Sequence, residues 1–141
     1  EENLEMGAYT FRRDKARIRR KLEEVYERFP DLKGRRKSLA GNLSGGQQRM
    51  VEVGRTLMTD PKVMLVDEPT AGLAKLLSEE VYQHLVNLKE SGITMLLVDQ
   101  EIRQALKIAD YVYVLELGRN KYEGPVDQFT DPKDLKKAFW A

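Results

Sequence analysis

Two stretches of this sequence, LSGGQQ at residues 43–48 and VMLVDEPT at residues 63–70, decide the fold prediction. The first has the form of a helix N-terminus, because Ser44 can cap the helix and Gln47, three residues later, completes a capping box. Two glycines in the first helical turn leave backbone amides uncovered, and such amides together with the helix dipole suit a phosphate. Taken alone, this stretch is equally consistent with a helix that is merely capped.

The second stretch begins with four apolar residues, which are too few for a helix and typical of a buried parallel strand. Asp67 follows at the carboxyl end of that strand, where ligands bind in open α/β sheets, and its carboxylate suits a hydrated Mg²⁺. Glu68 points elsewhere and could orient or deprotonate a water that attacks a γ-phosphate. An isolated Asp-Glu-Pro is more often a strand-end turn, but the order and spacing of the two stretches favour the functional interpretation.

Outward from these stretches, the pattern predicts helices and strands in alternation, and therefore a parallel sheet covered by helices. A loop is predicted over residues 31–43, and Ser78 is the expected N-cap of the third helix. The predicted helices are 14–29, 45–58, 79–90 and 101–109, the strands are 63–66 and 93–98, a hairpin spans 111–123, and short helices follow around 126–129 and 132–140.

Composition limits the class of protein. The chain has 141 residues, of which 41% are hydrophobic, and no cysteine. That length is about one domain, and the lack of cysteine excludes a disulfide framework and a thiolate metal site. No apolar run approaches the roughly 18 residues of a membrane span, and the acidic first residues fit neither a secretory signal nor a transit peptide. We therefore expect a soluble, cytosolic α/β domain.

Charge is unevenly distributed along the chain. Residues 11–40 hold 12 Lys or Arg and 5 Asp or Glu, although the net charge of the whole chain is only +1. The segment contains a helical stripe of apolar residues at Ile18, Leu22, Val25 and Phe29, so its charges fit a solvated helix face. A partner surface is the second interpretation, and nucleic-acid binding is the weakest because no aromatic platform accompanies the charges.

Read together, residues 43–47 and 63–68 resemble the signature motif and the Walker B motif of ABC-type ATPases. The resemblance implies an α/β fold: a partial P-loop NTPase core with a parallel sheet, plus an α-helical subdomain. It implies domains at residues 1–42 (helical subdomain, with the basic helix 14–29), 43–124 (C-terminal half of the ATPase core) and 125–141 (short helical tail).

The resemblance also implies roles for individual residues, with ATP and Mg²⁺ as cofactors. Asp67 would hold Mg²⁺ through water, and Glu68 would be the general base. Gln100 would stand at the switch position, where a histidine is common. The residues that would contact the γ-phosphate of an ATP held by a second ATP-binding subunit, in a head-to-tail dimer, are Leu43, Ser44, Gly45, Gly46 and Gln47.

Two positions depart from the family pattern. Ala74 replaces the usual aspartate of the loop at residues 71–74, which puts a polar contact across the dimer in doubt. Gln100 can donate a hydrogen bond but carries no titrating proton, so a mechanism through imidazolium is excluded at that place. The single histidine, His84, fits an ordinary helix residue. Stretches around residues 71–74, 98–101 and 104–110 are similar to the ATP-binding subunits of branched-chain amino-acid importers.

The phosphate loop of the family, G-x-x-x-x-G-K-[ST], does not occur in the sequence, which has no Gly-Lys pair. We therefore expect the isolated chain to be inactive and to retain neither ATP nor Mg²⁺. We also expect an unpaired edge and an uncovered apolar face at residues 63–66, and hence self-association.

The leading hypothesis is an ATP-hydrolysing subunit of an ABC importer, cytoplasmic and peripheral at the inner face of the cell membrane. Residues 11–40 would then dock the transmembrane permease subunits, and no nucleic acid would be bound. Two alternatives remain: part of a soluble ABC-type ATPase from DNA repair or translation, and a non-enzymatic binding module. ATP titration of the isolated chain would test the last of these.

Overall fold

The computed structural model describes residues 1–129, which fall into two compact units. The first unit is Glu1–Val98, and the second begins at Asp99. The predicted helix at 132–140 lies outside the described residues. No helix among the described residues is long and apolar enough to span a membrane.

The first unit is mainly helical, with one small parallel sheet. Its elements, in chain order, are α1 (Glu2–Glu5), a 3-10 helix (Met6–Phe11), α2 (Lys15–Arg28), α3 (Pro30–Lys33), a second 3-10 helix (Ala40–Asn42), α4 (Gly45–Leu57), β1 (Val63–Asp67), α5 (Lys75–Glu90) and β2 (Thr94–Val98).

The predicted basic helix is confirmed as α2. It begins after Asp14, whose carboxylate accepts a hydrogen bond from the Arg17 amide at 2.9 Å. Pro30 follows the end of α2 and is itself the first residue of α3, because proline is favoured in the first turn of a helix. The predicted loop at 31–43 is therefore partly wrong, since it contains most of α3 and the second 3-10 helix.

The predicted start of the third helix is also wrong. α5 begins at Lys75, four residues before Glu79, and Ala74 in an extended conformation is its N-cap. Ser78 lies inside the helix, where its hydroxyl donates to the carbonyl of Ala74 at 3.3 Å. A serine that bonds back to residue i−4 is compatible with a helix interior, so its capping preference was misleading here.

Helices α1, α2, α4 and α5 supply most of the buried apolar residues of the first unit. α4 crosses close to α1 and α2 at Gly54, where an added Cβ would lie 2.9 Å from side-chain atoms of both Leu4 and Val25. Lys21 of α2 is also buried and pairs with Glu24 and Asp60. Burial lowers the pKa of Lys21, but the hydrogen bonds with Asp60 and Glu24 outweigh it and raise that pKa. Lys21 therefore remains charged and ties α2 to the turn before β1.

The small sheet has one covered and one open face. β1 and β2 pair in parallel, with Val63 opposite Thr94 and Asp67 opposite Val98, and within residues 1–129 neither pairs with another strand. Met64 and Val66 are buried. The opposite face is apolar and exposed, with Val63, Leu65, Leu96 and Val98 at 59%, 77%, 54% and 55% exposure. The open edge and bare face expected at residues 63–66 are therefore present.

The second unit contains α6 (Ile102–Ile108), the antiparallel hairpin of β3 (Tyr111–Glu116) and β4 (Arg119–Pro125), and a 3-10 helix (Val126–Phe129). The predicted hairpin is confirmed, and its turn places Leu117 and Gly118 at φ +48° and +75°. Val114 and Phe129 form the buried centre of the described part, with Leu106, Val112 and Tyr122 packed against it.

We expect His84 of α5 to make the stability of the first unit dependent on pH. Its ring packs edge-on against buried Phe29, with ring centroids 5.0 Å apart. Burial lowers the pKa of His84, and Asp31 and Glu80 oppose this only in part. The folded state therefore binds a proton less readily than the unfolded chain, and stability falls as pH falls through about 6.5. Urea unfolding at pH 7.5 and at pH 5.5 measures this effect. Between the two pH values, the free energy of unfolding should fall more for wild type than for His84→Gln, and an equal fall in both would contradict the prediction.

Candidate functional site

The stretch 43–48 forms the N-terminus of α4, which is closed by reciprocal side-chain hydrogen bonds. The Gln47 amide donates to the Ser44 hydroxyl at 3.3 Å, and the Ser44 amide donates to the Gln47 side-chain oxygen at 3.2 Å. The predicted capping box is therefore confirmed. It fixes the first turn of α4 before any ligand is present.

Gln48 holds the chain just before this turn. Its side-chain amide donates to the carbonyl oxygens of Ala40 at 3.2 Å and Leu43 at 3.1 Å. Sequence reasoning missed this contact, because the amide reaches back eight residues and no local pattern marks such a bond. The Gln48 side chain thus holds the segment before Ser44 at two points, Ala40 and Leu43, and the capping box holds Ser44 itself.

The arrangement leaves donors available at the helix start. Within residues 1–129, the amides of Gly45 and Gly46 have no hydrogen-bond acceptor. The Ser44 oxygen accepts from Gln47, so its own hydrogen remains able to donate. These donors lie at the positive end of the dipole of a 13-residue helix, which favours an anion. Gln47, in contrast, is engaged in the capping box.

The end of β1 brings two carboxylates to the surface. Asp67 is exposed at the last position of the strand, on the same face as Val63 and Leu65. Glu68 follows with φ +40°, and its amide donates to the carbonyl of Val98 at 2.8 Å. The chain therefore changes direction at Glu68, directly after the hydrogen bond with Val98. The two neighbouring carboxylates belong to residues with different backbone conformations, extended at Asp67 and left-handed at Glu68.

The carboxylates at the end of β1 could bind a magnesium ion only together with waters and phosphate oxygens, not as a complete set of ligands. Among residues 1–129 no group of three His, Asp or Glu side chains could enclose a metal ion. Mg²⁺ usually keeps several waters and takes one or two carboxylates together with substrate phosphates. The exposed Asp67 carboxylate fits that mode of binding.

The segment after Glu68 packs against the start of α4. The Ala71 amide donates to the Glu68 carbonyl at 3.1 Å, and the Leu73 amide donates to the Thr70 carbonyl at 3.1 Å. An ideal Cβ on Gly45 would lie 2.8 Å from Cδ2 of Leu73. The two stretches singled out by sequence are therefore connected through Leu73.

Gln100 lies in the second unit. Its side chain is exposed, and its carbonyl accepts a hydrogen bond from the Ile102 amide at 3.0 Å. Beside it, the Asp99 carboxylate accepts from the Glu101 amide at 2.9 Å. This local turn fixes the backbone at Gln100, whose role stays a prediction.

Many cations of the basic segment, residues 11–40, are engaged within the chain. Arg36 pairs with Glu23 at 2.7 Å and lies over the Tyr26 ring, and Arg17 lies over the Phe11 ring. Burial, followed by the nearby Glu1 carboxylate, raises the pKa of Tyr26 to about 12. The cations that are exposed and make no ion pair, ring contact or side-chain hydrogen bond within residues 1–129 are Arg13, Lys15, Arg19, Arg35 and Lys37.

Comparison with known proteins settles the family. The sequence profile described as "ABC transporter" matches residues 1–71, half of the chain. The chain belongs to the ABC transporter family. Membership fits the closed helix start at Ser44 and the carboxylates at the end of β1, which is where the resemblance to the signature and Walker B motifs lies.

Three ABC proteins illustrate the similarity. The high-affinity branched-chain amino acid transport ATP-binding protein BraG of Pseudomonas aeruginosa is 44% identical over 119 residues, 84% of this chain and 50% of that protein. The probable branched-chain amino acid transport ATP-binding protein LivF of Archaeoglobus fulgidus is 33% identical over 138 residues, 97% of this chain and 58% of that protein. The structure of cbiO1 from Clostridium perfringens, part of the ABC transporter complex cbiONQ, has a TM-score of 0.81 at 27% identity, covering 95% of this chain and 53% of that chain.

These comparisons confirm the predicted fold class, an α/β partial ABC ATPase core with a parallel sheet and helices. The chain spans about half the length of the curated relatives it matches. The domain boundaries at 42 and 124 stay predictions, as do the roles of the individual site residues.

Proposed function

We propose that this chain acts within the ATP-binding subunit of an ABC importer, with branched-chain amino acids as the transported class. The closed start of α4, with free amides at Gly45 and Gly46, carries the proposal because it offers preorganised donors to a phosphate. The names of the relatives from P. aeruginosa and A. fulgidus support the amino-acid class.

In this proposal the signature residues act on an ATP held by a second ATP-binding subunit. The Ser44 hydroxyl and the amides of Gly45 and Gly46 donate to the γ-phosphate, while Leu43 and Gln47 shape the turn. The phosphate loop at that composite site belongs to the second subunit, because that subunit holds the ATP. The 141 residues contain no Gly-Lys pair, so we expect that this chain by itself does not hydrolyse ATP.

The residues that follow the two parallel strands or end them serve the chemistry of hydrolysis. Asp67 binds Mg²⁺ through water, and the ion neutralises phosphate charge when it is bound. Glu68 accepts the proton of the attacking water, and Gln100 donates a hydrogen bond to the γ-phosphate.

The basic segment supplies the contact with the permease subunits. Its five unengaged cations, just before and on α2 and in the loop that follows α3, are available to acidic groups of a partner. Assembly on that partner places the chain at the inner face of the cell membrane.

Association with a full-length subunit tests this function. Fluorescently labelled chain mixed with the P. aeruginosa relative should bind it more tightly with ATP and Mg²⁺ than without. Ser44→Arg should weaken the ATP-dependent association at least about tenfold, because it removes a charge-assisted hydrogen bond and fills the phosphate space. Ser38→Arg adds the same charge at an exposed serine outside the motif and should bind like wild type. Equal binding with and without ATP would refute the proposal.

The open sheet face leads to a second prediction, self-association of the isolated chain. Exposed apolar residues beside unpaired strand edges favour contact with another copy. Sedimentation over a dilution series should show dimers or larger species. The double variant Leu65→Lys/Leu96→Lys should shift the chain toward monomer, whereas Leu117→Lys, at the hairpin tip, should not. A wild-type monomer at every concentration would contradict this.

A further inference from the structure

A cleft in the first unit is lined by charged groups of both signs. It lies between α2, the turn before β1 and the turn after α5, and its volume is about 170 Å³. Roughly 150 Å³ is enough to hold a molecule the size of benzene, whereas drug-sized ligands need about 300 Å³ or more. The cleft therefore suits a small organic molecule and is too small for a nucleotide.

One side of the cleft carries two carboxylates that can accept further hydrogen bonds. Glu24 and Asp60 each accept a hydrogen bond from the ammonium group of buried Lys21 through one of their oxygens. The other oxygen of Glu24 lies 3.8 Å from Arg20 Nε, and that of Asp60 lies 3.7 Å from Arg17 Nη2. Both distances are too long for a hydrogen bond, so these two oxygens can accept from a cationic ligand.

Another side of the cleft carries a guanidinium group that has no acidic partner within residues 1–129. Arg28, the last residue of α2, donates from Nη1 to the Ser91 hydroxyl at 3.2 Å. That hydroxyl in turn donates to the carbonyl of Leu88 at 2.8 Å, which fixes Ser91. A guanidinium presents several N–H donors in a planar fork that matches a carboxylate. Arg28 therefore keeps donors for the carboxylate of a ligand.

Apolar side chains form the remainder of the lining. Val25 of α2 and Leu57 of α4 are buried, and Pro61 and Ile93 are partly buried. A hydrocarbon group packed against these residues would be removed from water, which favours binding. The lining thus matches three chemical groups at once: an ammonium group, a carboxylate and a hydrocarbon side chain.

We propose that this cleft binds a free α-amino acid with an apolar side chain. The ammonium group of the ligand donates to Glu24 and Asp60, and its carboxylate accepts from Arg28. Its side chain packs against Val25 and Leu57. A zwitterion suits the cleft better than a simple anion, because the two carboxylates repel a ligand that carries only negative charge. The choice of a branched-chain amino acid among the apolar ones rests on the proposed function, where these are the transported class.

A titration with L-leucine, followed by NMR of the isotopically labelled chain, tests the site. Saturable shifts should occur at amides in residues 21–28, 57–61 and 91–93, with a Kd on the order of 0.1–1 mM for so small a ligand. Absence of saturable shifts at tens of millimolar leucine would overturn the proposal.

Three analogues each lack one of the groups that the cleft recognises. The compound 4-methylpentanoate has no ammonium group, 3-methylbutylamine has no carboxylate, and glycine has no side chain. Each should bind at least about tenfold more weakly than leucine, since one favourable contact is lost. Binding of 4-methylpentanoate or 3-methylbutylamine as tight as that of leucine would refute a site for amino acids.

Substitution of Arg28 tests the predicted contact with the carboxylate. Arg28→Gln should weaken leucine binding at least about tenfold, because charge-assisted hydrogen bonds are lost. Its affinity for 3-methylbutylamine, which has no carboxylate, should stay within about twofold of wild type. Arg103→Gln removes the same charge at an exposed position of α6 and should bind leucine like wild type. Equal leucine affinity of Arg28→Gln and wild type would overturn the assignment.

The titration separates this proposal from the proposed function, because it needs neither ATP nor a second subunit. ATP-dependent association without saturable leucine binding would overturn the cleft as a binding site and leave the proposed function in place. Leucine binding without ATP-dependent association would refute the proposed function, and the cleft would remain a site for apolar amino acids.

Discussion

Glu68→Gln should reduce ATP turnover about 100-fold or more in a full-length subunit that contains this chain. The magnitude follows because a positioned general base contributes roughly 10²–10⁴-fold, and an amide accepts no proton from water. A suitable subunit joins this chain to the part of the P. aeruginosa relative that it does not match. Turnover should be measured under saturating ATP and Mg²⁺.

The control is a glutamate that lies outside the turn after β1. Glu79 is exposed on α5, so Glu79→Gln makes the same chemical change and should keep wild-type turnover. ATP binding should persist in Glu68→Gln, because the substitution is nearly isosteric. Turnover by Glu68→Gln within a few fold of wild type would remove Glu68 from the role of base.

Gly7→Ala should destabilise the first unit by about 3 kcal/mol, near the upper end of usual overpacking effects. An ideal Cβ on Gly7 would lie 2.0 Å from the backbone oxygen of Arg55 and 3.0 Å from Cβ of Met58. A backbone carbonyl inside a helix cannot swing away as a side-chain tip can, so the first 3-10 helix must separate from α4. Urea unfolding of the chain measures the loss.

Gly34→Ala is the matched control for this substitution. Nothing lies within 4 Å of an ideal Cβ on Gly34, whose φ of −74° suits alanine. Its stability should stay within about 0.5 kcal/mol of wild type, as for most surface substitutions. Equal stability of Gly7→Ala and Gly34→Ala would show that the contact between the 3-10 helix and α4 is looser than described.

Local patterns in the sequence predicted much of the fold and the capped start of α4. The Ser44 capping box, the short apolar strand that ends at Asp67 and the hairpin around Leu117 are all marked by residues within a few positions of one another. Such features are visible in sequence because the hydrogen bonds and burial pattern repeat over short spacings.

The error at Ser78 is local, whereas the contacts that sequence reasoning missed are tertiary. Ser78 has the chemistry of a helix cap, yet its hydroxyl bonds within α5, which starts earlier at Lys75. The contact of Gly45 with Leu73 spans 28 residues, and Gly7 approaches Arg55 across 48 residues. No periodicity records either approach, because each depends on how two helices or turns are brought together in space.

The backbone conformation at Glu68 bears on which residue types stability would favour at this position. A left-handed residue costs a non-glycine side chain roughly 1 kcal/mol, and glycine would adopt φ +40° without that penalty. A chain shaped by stability alone would place glycine after the ladder bond to Val98. The proposed role of Glu68 as general base is a reason for a carboxylate to stand at this position despite the preference of the backbone.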